Sequence, residues 1–303
     1  MATRSSLSIG ALLSLALVLA PAAGGAAPPL RVLVTDDDGV GAPGIDALVT
    51  ALTANPQLEV TVVAPAVNQS GTGDRISNQP DATIITMAAT TASGTPATAV
   101  DGFPADSVLW AVLTVLPERP DLVVSGINAG QNIGEAVGLS GTVGAARWAA
   151  RLGIPAIAAS VQFGESDYTQ AAEFVADVVE RFRTDKGFRK RMREKGSASH
   201  GIVLNFNFPD CPDGGRGMEL VTVGRAITYT GHTLLDEVAG VRTWRLEQAV
   251  TNTNIVDCSS TAEDPTTDVE AFVNGFATLT PLTDEGQVST RAMKQFAQIA
   301  KRY

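Results

Sequence analysis

Histidine is almost absent from this 303-residue chain, which contains two, and cysteine is equally rare. Neither Cys211 nor Cys258 has a second cysteine or a histidine at metal-ligand spacing, which argues against a zinc centre. Basic residues are also in deficit. Against 32 Asp and Glu stand 22 Lys and Arg, giving a formal net charge of -10. A surface for a nucleic-acid polymer would need clustered cations, so that class is disfavoured. The one basic run, FRKRMREKG at 188–196, alternates with acidic and apolar residues and reads as a solvated helix face. Past residue 27 no apolar stretch is long enough to span a bilayer, which points to a mature form without a membrane segment.

Residues 1–27 stand apart in composition. Arg4 gives a positive start, LSIGALLSLALVLA an apolar run, and Ala20-Pro21-Ala22 an A-x-A cleavage signal. The pattern predicts a signal peptide and a secreted or periplasmic mature protein beginning near Ala23, with an uncleaved anchor as the other reading. Export would place the two cysteines where a disulfide is permitted without being required.

Short Val- and Ile-rich runs alternate with helical patterns. Strands are predicted at 31–35, 58–65, 121–126, 154–160 and 202–209, with a further apolar run in ATIITMA. Helices are predicted at 44–52, 105–116, 142–153 and 168–183. Trp110 and Trp148 fall in the helical patterns as core residues, whereas His200 and His232 sit in polar stretches and read as surface. Such alternation predicts a three-layer, Rossmann-like α/β fold, with a mostly parallel sheet covered by helices on both faces. From about residue 216 the segments become longer and more polar, before a strand-like GFATLTPL and a last helix from Ser289. The expected organisation is therefore a signal peptide at 1–27, an α/β catalytic core at 28–215 and a C-terminal extension at 216–303. That extension would complete the core or reach a neighbouring subunit as an arm.

Ligands of open α/β sheets bind beyond the carboxyl ends of the strands. After the first strand comes TDDDGVGAPG, in which Gly39, Gly41 and Gly44 spell the dinucleotide fingerprint G-x-G-x-x-G. Three carboxylates, Asp36, Asp37 and Asp38, stand in front of it, and they would repel a pyrophosphate seated directly in the loop. After the second strand comes PAVNQSGTG with Asn68 and Ser70; after the strand at 121 comes SGINAGQNIG with Asn128 and Asn132. LSGTVG then opens a helix. None of these turns carries Lys, Arg or His. Oxygen-only donors suit a hard divalent cation, Mg²⁺ or Mn²⁺. Ser140-Gly141-Thr142 at a helix start offers backbone N–H groups to an anion. A cation beside an anion cradle points to phosphoryl chemistry, and it turns the carboxylate block from an obstacle into a reason for binding.

The blocks TDDDGVGAPGIDAL, VVAPAVNQSG and PDLVVSGINAGQNIGEAVGLSGTVGAARWAARLGIPAIAAS resemble the signatures of the SurE survival-protein family, metal-dependent 5′-nucleotidases and acid phosphatases. Weaker matches in GFPADSV, LNFNFP and GFATLTPL extend the likeness over about residues 30–282. The resemblance implies Asp37, Asp38, Ser70 and Asn128 as metal ligands, with Asp38 and Asp37 catalytic and a free carboxylate oxygen of Asp38 as the base. It implies phosphate contacts from Asn132, Ser140, Gly141 and Thr142. It further implies 5′- and 3′-nucleoside monophosphates or small phosphomonoesters as substrates, and a homodimer or homotetramer with an exchanged C-terminal segment.

Two departures stand out. Asp36 occupies the position of the family's first Asn; it reads either as a turn residue or as an added charge beside the metal. Gly41 occupies a position often held by His or Tyr. Of the other function classes, a dinucleotide-dependent oxidoreductase would need an acid at the end of the second strand, where Pro65 stands and Glu59 lies at the start. A non-catalytic exported binding protein would have lost the metal ligands, and all four are present.

Overall fold

The computed structural model describes residues 28–193, 201–212 and 215–303. The expected signal peptide and His200 lie outside the described residues. β1 (Leu30–Thr35) runs through the glycine turn into α1 (Pro43–Thr53), and β2 (Leu58–Pro65) follows. The pair β3 (Ile85–Thr90) and β4 (Pro96–Asp101) precedes α2 (Pro104–Trp110), which continues as a π-helical stretch at Ala111–Val115. Then come β5 (Leu122–Ala129), α3 (Ala136–Leu139), α4 (Gly141–Arg151) and β6 (Ala156–Val161). α5 (Thr169–Thr184), α6 (Lys186–Arg193) and β7 (Val203–Phe208) complete the alternating part. The remainder holds β8 (Met218–Leu220), β9 (Ile227–Val238), β10 (Val241–Val250), α7 (Asp268–Val273), β11 (Ala277–Leu282), α8 (Thr290–Met293) and α9 (Ala297–Ala300).

Nine strands form one sheet in the order β3-β4-β2-β1-β5-β6-β7-β11-β8. From β4 to β7 all neighbours are parallel; β3 and β11 run antiparallel to β4 and β7. The pleat sends alternate residues of β1 to opposite faces. Val32 and Val34 pack with Ile45 and Leu48 of α1 and Val175 and Phe182 of α5. Leu33 packs on the other face with Val108 of α2 and Val143 and Ala146 of α4. Both faces are dry, so the central strands read as continuous apolar runs, and the mostly parallel α/β fold is as expected.

Gly44, the last glycine of the fingerprint, lets α1 lie close against β5: a Cβ there would fall 1.8 Å from the Ile127 carbonyl oxygen. Its role is packing. The two strands after the β1–α1–β2 unit were only partly legible, since β3 begins inside ATIITMA and β4 was not anticipated. Trp110 and Trp148 are half-buried at the rim of the core, and Trp148 donates its indole N–H to the Asp74 carbonyl at 2.8 Å.

Beyond residue 216, β11 and β8 extend the main sheet, whereas β9 and β10 pair only with each other as a long antiparallel hairpin. His232 lies exposed on β9. A disulfide joins Cys211 to Cys258, 47 residues apart, and ties the loop after β7 to the segment leading into α7. α6 buries Phe188 and Met192 and exposes Lys186, Lys190 and Arg193, while Arg189 and Arg191 are half-buried and Arg189 caps the end of α5 through the Phe182 carbonyl. The described part of the basic run is thus a helix face only partly in solvent. No helix among the described residues is long and apolar enough to cross a membrane.

Candidate active site

The parallel register brings the ends of β1 and β5 side by side, with Thr35 opposite Ser125. β1 ends at Thr35, and the three aspartates follow immediately. Asp36 and Asp37 are buried; Asp38 is half-buried. They diverge in direction. Asp38 Oδ1 accepts from Asn68 Nδ2 at 2.7 Å and lies 3.5 Å from the Ser70 hydroxyl; Oδ2 accepts from the Ala129 backbone N–H at 2.8 Å. One carboxylate thus gathers the loops after β1, β2 and β5. Both of its oxygens are hydrogen-bonded, so the free oxygen expected of a base is instead a held oxygen with a remaining lone pair.

Asp37 turns toward α4. Its Oδ1 accepts from the Thr142 hydroxyl at 2.6 Å. A Cβ on Gly141 would lie 2.8 Å from both Asp37 Cβ and Oδ2. Burial pushes the Asp37 carboxyl up, the Thr142 hydrogen bond opposes this, and the Asp38 charge adds to the rise. Asp36 is raised well above the usual carboxylate range by burial and then by Asp37 and Asp38. Its Oδ1 accepts from the Asp37 N–H at 2.8 Å, and its Oδ2 is buried without a partner. Asp36 is therefore no surface turn residue. It lies under the site.

Ser70 is held by an Asx turn, its N–H bonding Asn68 Oδ1 at 2.9 Å. Asn128 donates its amide N–H to the Gly130 carbonyl, which fixes the opposite, oxygen end of the amide. The β5–β6 register shifts between Ser125 and Asn128, just where the strand reaches the site. Ser140 caps α4, its hydroxyl accepting from Val143 N–H at 3.0 Å. The N–H groups of Gly141 and Thr142 have no intrahelical carbonyl available, as in any first helical turn. The Thr142 side chain is spent on Asp37, so what it offers an anion is its backbone.

Asn132, expected as a phosphate contact, turns its amide donors inward. They reach Ser160 Oγ at 2.9 Å and Thr142 Oγ1 at 3.4 Å, while its backbone bonds Asn205 and Asn207. That hydrogen-bonding places it as support for Thr142.

Sequence reasoning missed two neighbours. Asn68 stood in the quoted loop, and its N-x-S spacing is the signal for the Asx turn that grips Asp38. Tyr168 carried no local signal; it lines, with Asp38, Gly39, Gly41, Pro43, Asn68 and Ala129, a cleft of about 480 Å³. Its hydroxyl is pushed up by burial and then by Asp38, Asp36 and Glu165. Gly41 meets nothing within 4 Å of where a Cβ would be, so a side chain missing there leaves the cleft wider.

Among the described residues no three acidic, His or Cys side chains converge as a metal cage. The donor set at hand is mixed: two carboxylates, a hydroxyl and an amide oxygen, all at one end of the sheet. Burying charge without a partner is unfavourable. Among the described residues none of Asp36, Asp37 and Asp38 forms an ion pair, so a cation fits what is present. β2 ends on Pro65 with no acid to hold a ribose, which leaves the dinucleotide reading without its anchor.

Comparison with known proteins bears on the family and the fold. The family model described as Survival protein SurE matches residues 32–230. The protein named 5′-nucleotidase SurE of Symbiobacterium thermophilum is 39% identical over 198 residues, 65% of this chain and 73% of that protein. Its namesake in Aeromonas hydrophila is 32% identical over 277 residues, 84% of this chain and 92% of that one. The crystal structure of the SurE protein from Aquifex aeolicus superposes with a TM-score of 0.64 at 26% identity, over 89% of this chain and 99% of its own. The family model covers most of the chain, the relatives match along much of their own length and the fold is shared, so the chain belongs to the SurE survival-protein family.

Proposed function

We propose that the chain hydrolyses nucleoside 5′-monophosphates, and 3′-monophosphates, to nucleoside and inorganic phosphate, assisted by a divalent cation, Mg²⁺ or Mn²⁺. The relatives' printed name, 5′-nucleotidase SurE, supports the activity. The observation that carries it is the pair Asp37 and Asp38, which form no ion pair among the described residues, with Asp37 bonded to Thr142 in the first turn of α4.

Asp37, Asp38, Ser70 and Asn128 would hold the cation, each through oxygen. When bound, it neutralises charge on the phosphoryl group. The N–H groups of Gly141 and Thr142 receive phosphoryl oxygens at the positive end of the α4 dipole. Asp38 takes a proton from the attacking water. The bond formed joins that water's oxygen to phosphorus, the bond broken is the phosphate ester, and the nucleoside oxygen leaves with a proton from solvent.

Phosphate release from 5′-AMP and 3′-AMP with Mn²⁺, Mg²⁺ or EDTA tests both halves. Turnover that survives exhaustive chelation overturns the cation; absence of phosphate release from either substrate with Mn²⁺ overturns the nucleotidase. Asp37→Asn should lose Mn²⁺ binding in calorimetric titration, because charge count sets affinity in oxygen-ligand sites.

Export and assembly belong to the same reading. Arg4, the apolar run and the A-x-A signal support a secreted or periplasmic mature form. Finding intact Met1 in a soluble cytoplasmic fraction would overturn that. The β9–β10 hairpin leaves Leu234, Leu235, Val241, Trp244 and Leu246 exposed, which supports a homodimer or homotetramer joined through residues beyond 216. A monomer in light scattering at micromolar concentration contradicts it.

A further inference from the structure

Three exposed apolar side chains ring the carboxyl end of the sheet. Val67 precedes Asn68, Leu139 precedes Ser140, and Phe163 lies two residues beyond β6; they are 62%, 63% and 66% exposed. Single exposed apolar residues are ordinary. These three come from separate loops, and each stands beside a residue of the candidate site.

Phe163 is the one with a planar face. Its backbone N–H donates to Gln131 Oε1 at 2.8 Å. Gln131 is anchored in turn, its amide nitrogen reaching the Thr253 carbonyl at 2.9 Å and Asn254 Oδ1 at 2.8 Å. The loop is thus held, and the ring stays in water. Gly130 lies between the ring and the site: a Cβ there would be 3.6 Å from Phe163 Cδ2 and 3.8 Å from Asn128 Nδ2. The phenyl ring and the Asn128 carboxamide therefore flank the same backbone spot. A phosphoryl group seated at Asn128 and Asp38 has its ester substituent within reach of an aromatic ring that is already in place.

We propose that Phe163 is a stacking platform for the nucleobase of the leaving nucleoside, and so a specificity-determining residue. The proposal rests on the nucleotide reading given above. Base–aromatic stacking needs no hydrogen-bonding partner on the ring, and removal of such a ring weakens binding by roughly tenfold. It costs little folding stability here, because the ring is mostly in water.

The experiment compares AMP with ribose 5-phosphate, which keeps phosphate and sugar and lacks the base, for Phe163→Ala and Phe163→Trp. Leu113→Ala, an exposed apolar position in the π-helical stretch that continues α2, serves as control. Phe163→Ala should raise KM for AMP about tenfold and leave kcat and the KM for ribose 5-phosphate unchanged, while Phe163→Trp restores the AMP value. Inhibition by adenosine should weaken in parallel, a readout independent of turnover. An unchanged KM for AMP, an equal rise on both substrates, or a change of molar mass in light scattering overturns the stacking role and leaves the nucleotidase standing. A parent protein inactive on AMP overturns both.

Discussion

The hydroxyl of Thr142 donates to Asp37 at 2.6 Å across 105 residues of sequence. It joins the first turn of α4, the expected anion cradle, to the carboxylate expected to hold the cation. Hydrogen bonds to charged groups contribute roughly 1.5–3 kcal/mol. Thr142→Val keeps the shape and removes the donor, leaving the buried Asp37 oxygen short of a partner, so turnover of AMP should fall by roughly 10–100-fold and the melting temperature should drop with it. Thr142→Ser should stay within a few-fold of the parent. Kinetics of the three proteins beside their thermal melts decide it; equal activity of Thr142→Val means the bond has no catalytic weight.

Gly141→Ala tests the contact from the other side. Helix propensity favours Ala over Gly by about 1 kcal/mol. Against it, the new methyl would sit 2.8 Å from Asp37 and 3.0 Å from Pro104 Cγ, and overpacking of this kind costs typically 1–3 kcal/mol. The clash should win: lower stability in urea, and at least a tenfold loss of turnover as Asp37 is displaced. A more stable and fully active Gly141→Ala would show that Asp37 has room to move.

Asp268 governs a pH dependence of stability. It accepts backbone N–H groups from Gly224 at 2.7 Å, Val269 at 2.8 Å and Gly134 at 3.1 Å, and so pins the β5–α3 loop to the C-terminal part. Burial nevertheless raises its pKa from 3.8 to about 6. Because the folded value is the higher one, this group's contribution is fully present below pH 3.8 and is lost as pH rises through about 6. The loss amounts to roughly 3 kcal/mol. Asp268→Asn should lack this part of the slope, so the parent-minus-variant difference in unfolding free energy should fall between pH 4 and pH 7. Parallel profiles would count against it.

Reduction of the Cys211–Cys258 bridge should lower stability by about 2–4 kcal/mol, since it closes a long loop in the unfolded chain. Melting with and without a reductant, beside the Cys211→Ser/Cys258→Ser double variant, measures this. Identical melting temperatures would show that the bridge constrains nothing.

The alternating part of the fold was legible because its strands are buried on both faces and show as unbroken apolar runs. β4 was not, since its sequence PATAVD is short and begins with proline. The β9–β10 hairpin faces solvent along most of its length, so no alternation marks it, and it passes as polar loop. The helix read at 105–116 changes winding after Trp110, and the one read from Ser289 breaks into two short pieces around Lys294–Phe296. At the site, position at the strand ends singled out the loops carrying Asp36, Asp37, Asp38, Asn68, Ser70, Asn128 and Asn132, and only the resemblance to the SurE family assigned roles among them. Which way each side chain turns was not legible, because the Thr142–Asp37 bond and the inward Asn132 depend on contacts distant in sequence.

The place of β11 bears on how the chain is made. β7 pairs with β6 on one side, but its other edge is covered only by β11, which is synthesised after the hairpin and α7. Until residue 282 emerges, a strand of buried residues, VLNFNF, presents an open row of backbone donors and acceptors. Such an edge is a template for wrong pairing between nascent chains. A protein shortened before Ala277 should therefore aggregate, even with every residue of the candidate site intact.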